Sequence, residues 1–170
     1  MRHELTVPKS GNFYLDAGSA EEVLVILKDR EDIKVVLDAT GPRFEEAANQ
    51  ATPEGFAEPE GNRLPRAGVG HQLIIPWVND GGVIARWRRR WSRTREGMSI
   101  TVTIPRDVRF TATTRFGNTA TTRLLNVGLL PFVEAAEDRR APLDPKTVEG
   151  MIIRGGRVRC LDGSSLQEEL

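Results

Sequence analysis

Between Ser99 and Asn118 the chain alternates apolar and polar residues twice in succession. Ile100, Val102 and Ile104 alternate with Ser99, Thr101 and Thr103, the two-residue period of a strand with one buried face. Pro105-Arg106-Asp107 turns the chain, and Val108, Phe110 and Ala112 resume the alternation toward a turn at Gly117-Asn118. The same grammar recurs on either side. The chain therefore reads as all-β, built from short strands and turns, a pattern that gives a fold class and names no chemistry.

Earlier in the chain, Glu22–Leu27 and Ile33–Leu37 form the clearest pair of strands. β-Branched residues dominate both, and a charged turn separates them. A hairpin or two successive rungs would both fit. Residues 43–70 break the pattern: Phe44–Ala51 has the composition for two helical turns, and Pro and Gly crowd 52–70. We read 43–70 as an irregular excursion. Gln72–Val78 is an apolar strand in which Pro76 favours an edge, a bulge or a strand end. Trp77 is expected to pack in the core or at an edge. A turn at 79–82 and a strand starting at Val83–Trp87 follow, then strands at 119–125, 127–133, 147–154 and 158–161. Ala135–Pro145 reads as a polar loop, and 162–170 as a polar tail. We treat 1–170 as a single domain. Strands recurring every ten to twenty residues without a long helix suit a sandwich, a barrel or a solenoid.

Charge is balanced overall but not along the chain. The formal net charge is +0, yet residues 81–123 hold ten arginines against Glu96 and Asp107. An anion-binding surface would therefore come from this central segment. Its densest part holds Arg86, Trp87, Arg88, Arg89, Arg90, Trp91, Arg93 and Arg95. Guanidinium groups pair bidentately with phosphates, and indoles stack on bases or sit at a lipid boundary. The candidate ligand is nucleic acid or the anionic inner face of a membrane. The plainer reading is a solvated charged loop neutralised by the acidic first half.

Cys160 is the only cysteine, so no internal disulfide is possible and a reducing compartment is expected. The segment MRHELTVPKSGNFYL contains no apolar core of a secretory leader, and no run approaches a membrane span. A cytoplasmic location is expected. His3, His71 and Cys160 do not make a metal-ligand pattern, and no phosphate loop or nucleophile–base pair is present. No catalytic, metal or cofactor residue is assigned, and no small-molecule substrate is evident. An enzyme would need a deep polar cleft holding carboxylates or His71.

Three stretches resemble the adhesin-like "toastrack" β-solenoid family, many of whose members are actinobacterial. They are the opening HELTVPKSGNFYLDAGSAEEVLVILKDREDIKVVLDATGP, the Trp/Arg loop before SITVTIP, and Val108–Asn118 with its F-G turn. Together they cover about two-thirds of the chain, and what matches is turn and alternation pattern, not catalytic signature. The family's successive Gly-Asp rungs have only loose counterparts here, in Phe116-Gly117-Asn118, Val127-Gly128 and Ile153–Val158. The resemblance implies a short right-handed single-stranded β-solenoid, β-helix-like, with an irregular insertion; a β-sandwich is the alternative. It further implies a non-catalytic binding or scaffold module that engages a protein partner or self-associates. It transfers no functional residue to this chain.

Overall fold

The structure is a computed structural model that describes residues 1–56, 70–78, 96–114, 119–125, 128–133, 148–154 and 157–170, with 119–133 described at the level of strands and register. It is mostly β, as the alternation predicts. In chain order the strands are β1 (Arg2–Pro8), β2 (Asn12–Asp16), β3 (Glu22–Leu27), β4 (Asp32–Thr40), β5 (Pro53–Phe56), β6 (Gly70–Ile74), β7 (Gly97–Ile104), β8 (Arg109–Thr113), β9 (Thr119–Leu125), β10 (Gly128–Val133), β11 (Gly150–Arg154) and β12 (Arg157–Leu161). Helix α1 (Pro42–Gln50) follows β4, and helix α2 (Gly163–Glu169) follows β12.

The strands form two six-stranded sheets, ordered β1-β4-β7-β3-β11-β12 and β10-β9-β8-β2-β6-β5. Both are mixed. β2 pairs in parallel with β6 and β8, and β3 pairs in parallel with β7. β7 shows why the alternation matters. Met98, Ile100, Val102 and Ile104 are buried, while Ser99, Thr101 and Thr103 between them are half-buried. β2 and β8 follow the same rule with Phe13, Leu15, Phe110 and Ala112 buried. Inward residues from both sheets join one hydrophobic cluster, in which Val25, Leu37 and Val102 of the first sheet meet the same core as Leu15, Leu73 and Phe110 of the second. The Phe13 and Phe110 rings stack with centroids 5.9 Å apart, because parallel pairing sets the two residues side by side.

Among the described residues the chain passes between the sheets at three tight crossings, after β1, after β2 and after β7. After β7, the Val108 amide donates to the Pro105 carbonyl at 3.3 Å, closing the turn expected there. Lys9 holds Asp107 of this turn at 2.8 Å, and its ammonium keeps that carboxyl below its ordinary value. Arg106 reaches across to the Val148 carbonyl at 2.9 Å and to Glu149 at 2.6 Å. The crossing between β2 and β3 is part of the candidate site.

Several expectations are refined. β3 and β4 do not form a hairpin, because β7 lies between them and takes the hydrogen bonds of both. The excursion at 43–70 is regular where described: Pro42 starts α1, whose Phe44, Ala47 and Ala48 are buried, and β5 follows. The polar tail at 162–170 is also ordered into α2. Asp162 caps it, accepting from the Ser165 amide at 2.7 Å, and that backbone donor holds the Asp162 carboxyl below its usual range. Leu166 then packs with Leu24, Ile152 and Leu161 in a second cluster. The turn at 79–82, the strand start at 83–87 and the loop at 135–145 lie outside the described residues. No helix among the described residues is long and apolar enough to cross a membrane.

At the end of β8 the inward row continues with Thr114, which is 7% exposed. Its hydroxyl meets no hydrogen-bond partner among the described residues. A buried hydroxyl without a partner costs about 1–3 kcal/mol. Thr114→Val keeps the shape and removes the polar atom, so it should stabilise the fold by about 1 kcal/mol and raise Tm by roughly 2–4 °C. Thermal unfolding followed by circular dichroism checks this; a lower Tm would mean that the hydroxyl is bonded.

Candidate functional site

Among the described residues before the last, Leu170, the most exposed large apolar side chain is Trp77. β6 ends at Ile74, and the next four residues carry no regular secondary structure. Ile75 and Val78 are buried, yet Trp77 between them is 65% exposed. Three hydrogen bonds fix this backbone. The Ile75 amide donates to the Asp16 carbonyl at 2.9 Å. The Val78 amide donates to the Ser19 hydroxyl at 3.0 Å, and that hydroxyl donates back to the Val78 carbonyl at 3.3 Å. Ser19 is itself buried, so both of its bonds form away from water, where a lost partner is costly.

The β2–β3 crossing is shaped to deliver Ser19. Asp16 accepts from the Gly18 amide at 3.0 Å, an Asx turn. Gly18 lies at φ 54, and a Cβ there would sit 2.5 Å from the Ile75 carbonyl oxygen. Only glycine meets both demands. The Trp77 segment is therefore gripped from below by the crossing while its indole points outward.

α1 forms the other wall. Its buried face carries Phe44, Ala47 and Ala48, which leaves Arg43, Glu46 and Gln50 exposed on the opposite side. Gln50 donates from Nε2 to Glu46 Oε1 at 3.2 Å. Arg43, Glu46, Gln50, Pro76 and Trp77 border an open groove of about 560 Å³. The arrangement joins one flat aromatic face to a short polar helix face. It offers recognition by stacking and hydrogen bonding, and among the described residues it places no nucleophile beside a base.

A second cleft, of about 520 Å³, lies where β3 and β7 begin. Glu21, Glu22, Asp38 and Glu96 border it together with Arg154. Arg154 is committed to Glu22 at 2.7 Å and to Glu169 of α2 at 3.0 Å, a network that ties α2 to the sheet. Among the described residues no group of three or more His, Cys, Asp or Glu side chains is placed to hold a metal ion.

The sequence-derived candidates Arg86, Trp87, Arg88, Arg89, Arg90, Trp91, Arg93 and Arg95 lie outside the described residues. His71 sits on β6 with Nδ1 3.0 Å from the Ser10 hydroxyl, the satisfied polar role its setting suggests. Cys160 packs against the main core, and burial pushes its thiol above the ordinary value, which keeps it from acting as a ready thiolate. Trp77 corrects the expectation of a packed side chain. Period two from Leu73 and Ile75 would turn it inward, but the strand ends at Ile74 and Pro76 follows, so the next inward position falls on Val78. No family model, curated protein or solved structure matches the chain.

Ser19→Ala leaves the Val78 amide and carbonyl without their partner. It should cost about 1–3 kcal/mol and speed amide exchange at Val78 while exchange in β7 keeps the global rate. Hydrogen-exchange NMR on the two proteins reads this directly; unchanged protection at Val78 would remove Ser19 as the anchor.

Proposed function

We propose that this protein is a non-catalytic binding or scaffold module of the cytoplasm that engages a protein partner at the Trp77–α1 groove. The observation that carries this reading is the rigid presentation of Trp77. An indole that is 65% exposed on a backbone held by a buried serine is a preorganised contact, and preorganisation lowers the entropy lost on binding. Tryptophans are also the side chains most often found as binding hot spots. Within the all-β class, the parallel stacks of β2 with β6 and β8 and of β3 with β7 support a short β-solenoid with an insertion. A solenoid's rungs stack in parallel throughout, and seven of the ten strand pairs among the described residues are antiparallel, which favours the β-sandwich alternative.

Trp77→Ala tests the reading because the side chain is largely exposed and lies outside the hydrophobic cluster of the described residues. Tagged wild-type and variant proteins of equal Tm should be compared for what they retain from a lysate of the source cells. We expect at least one identified protein to be retained by the wild type and reduced about tenfold or more by the variant. Identical sets on both would overturn the groove as the contact. Retention of the untagged chain itself, lost with the variant, would make the partner a second copy.

The second reading is anionic-surface binding by the arginines of 86–95, favoured by six arginines within ten residues beside Trp87 and Trp91. It predicts binding to a labelled single-stranded oligonucleotide that weakens steeply with salt and is lost in the Arg88/Arg89/Arg90→Glu variant. Fluorescence anisotropy measures both; absence of binding at low salt would discard this reading.

A further inference from the structure

We infer that the outer face of β3, β11 and β12 is a docking site for a helix turn carrying a leucine and, three residues later, a glutamate, and that α2 fills it in cis until the helix of another protein replaces it. This face shares no residue with the lining of the Trp77 groove, so the two binding surfaces stand or fall separately. The strand register builds the face. Leu24 of β3 lies beside Ile152 of β11, and Gly150 of β11 lies between Ile26 and Leu161. Leu24, Ile152 and Leu161 are buried with Leu166 of α2 in a cluster separate from the main core. On the other side of β3, Leu24 and Ile26 are flanked by Thr101 and Thr103 of β7, so the apolar patch ends there.

Two anchors are spaced for one helix turn. Gly150 supplies a socket: a Cβ there would stand 3.3 Å from Leu166 Cδ1, so the bare backbone lets the leucine come down onto the sheet. A clamp lies further along the same strands. Arg154 donates to Glu169 Oε2 at 3.0 Å and Arg159 to Glu169 Oε1 at 2.5 Å, one guanidinium on each oxygen. Arg159 stands one outward position from Leu161, about 7 Å along the strand at 3.4 Å per residue. Leu166 and Glu169 are about 4.5 Å apart along α2 at 1.5 Å per residue, and the long arginine side chains cover the difference. Glu22 holds Arg154 at 2.7 Å from the side of β3, so this half of the clamp is oriented by the sheet itself.

α2 is built to leave. At seven residues it is too short to stand as a helix by itself, so it forms where it is docked. Leu166 is its one buried residue, and Ser164, Gln167 and Glu168 are exposed. The Asp162 cap is internal to the element and does not bind it to the sheet. Helix α1, by contrast, puts three residues into the main core. The clamp is open to water, with Arg154 and Arg159 56% and 43% exposed, so salt screens it. Release of the two anchors frees α2 as a unit, while β3 and β11 keep their pairing. The face then offers a leucine socket beside two arginines, which selects a helix with an acidic residue after its leucine over a basic or wholly apolar one.

The release is read first, by hydrogen exchange on the full chain at a series of low denaturant concentrations. The Ser165 and Leu166 amides, bonded at the start of α2, should exchange at least about tenfold faster than those of β7, with no denaturant dependence, and faster again at higher salt. Exchange of these amides only through global unfolding would overturn the inference. The probe for the partner is a blocked, alanine-based helical peptide of about 15 residues with one leucine and a glutamate three residues after it. It is titrated by ¹⁵N NMR into the wild type and into Leu166→Ala. We expect shifts at the Leu24, Gly150 and Ile152 amides and an affinity at least about tenfold higher for the variant, in which α2 competes less. Alanine for the peptide's leucine should weaken binding about tenfold, and glutamine for its glutamate about threefold with a shallower salt dependence. No binding at roughly millimolar peptide, shifts confined to other residues, or equal affinity of wild type and variant would each overturn the docking site. If Leu166→Ala does not fold, Glu169→Gln keeps the buried leucine and should raise peptide affinity about threefold; no gain would overturn the site equally. A dimer of the variant, seen by light scattering, that the peptide does not dissociate would give the face to a second copy and overturn a foreign helix.

Discussion

β7 is hydrogen-bonded along both of its edges, antiparallel to β4 and parallel to β3, and its four alternate side chains are buried. A slip of one residue would turn Thr101 and Thr103 inward and Ile100 and Val102 out. Each buried aliphatic side chain is worth roughly 1.5–3 kcal/mol, more than a typical single hydrogen bond contributes, so burial fixes the register on both edges at once. The turn at 105–108 then hands the chain to the other sheet, with Phe110 arriving opposite Phe13. Because β2 is the parallel neighbour of β8, and β3 that of β7, the β2–β3 crossing inherits its position from this one strand. Ser19 sits on that crossing.

The path from core to surface is thus short. β7 and β8 place β2 and β3; the crossing between those two strands places Ser19; Ser19 and Asp16 place the backbone on either side of Trp77. α1 is set independently by the burial of Phe44, Ala47 and Ala48 after β4. The groove exists because two separately anchored pieces of chain meet, the segment that follows β6 and the helix α1.

Much of this was legible in the residues alone. The alternation in 99–112 gave β7, β8 and their turn, and Glu22–Leu27 gave β3 with the bounds the structure has. The pairing of strands was not legible, because period two says which face is buried and nothing about the neighbour. β3 and β4 read as a possible hairpin, and only the insertion of β7, which begins as far along the chain as Gly97, separates them. α2 was hidden by its composition: seven residues with one buried leucine have too weak a period to stand out, and the Asp162 cap acts through geometry. Trp77 was missed for a related reason. Its orientation depends on where β6 stops, and the signal for that, Pro76, marks an ending without saying which way the following side chains turn.

The bonds that hold the Trp77 segment go to the main chain of Ile75 and Val78, not to the indole. Position 77 is therefore decoupled from the fold in a way that few aromatic positions are. Replacing the indole changes what the surface offers while leaving the anchoring pattern intact, and the same holds for the outward row of α1. On the proposed binding role, a lineage carrying this chain could retune recognition by drift at four exposed positions without first gaining stability elsewhere. Gly18 and Ser19, which touch no ligand, are by contrast the residues whose loss would end that freedom.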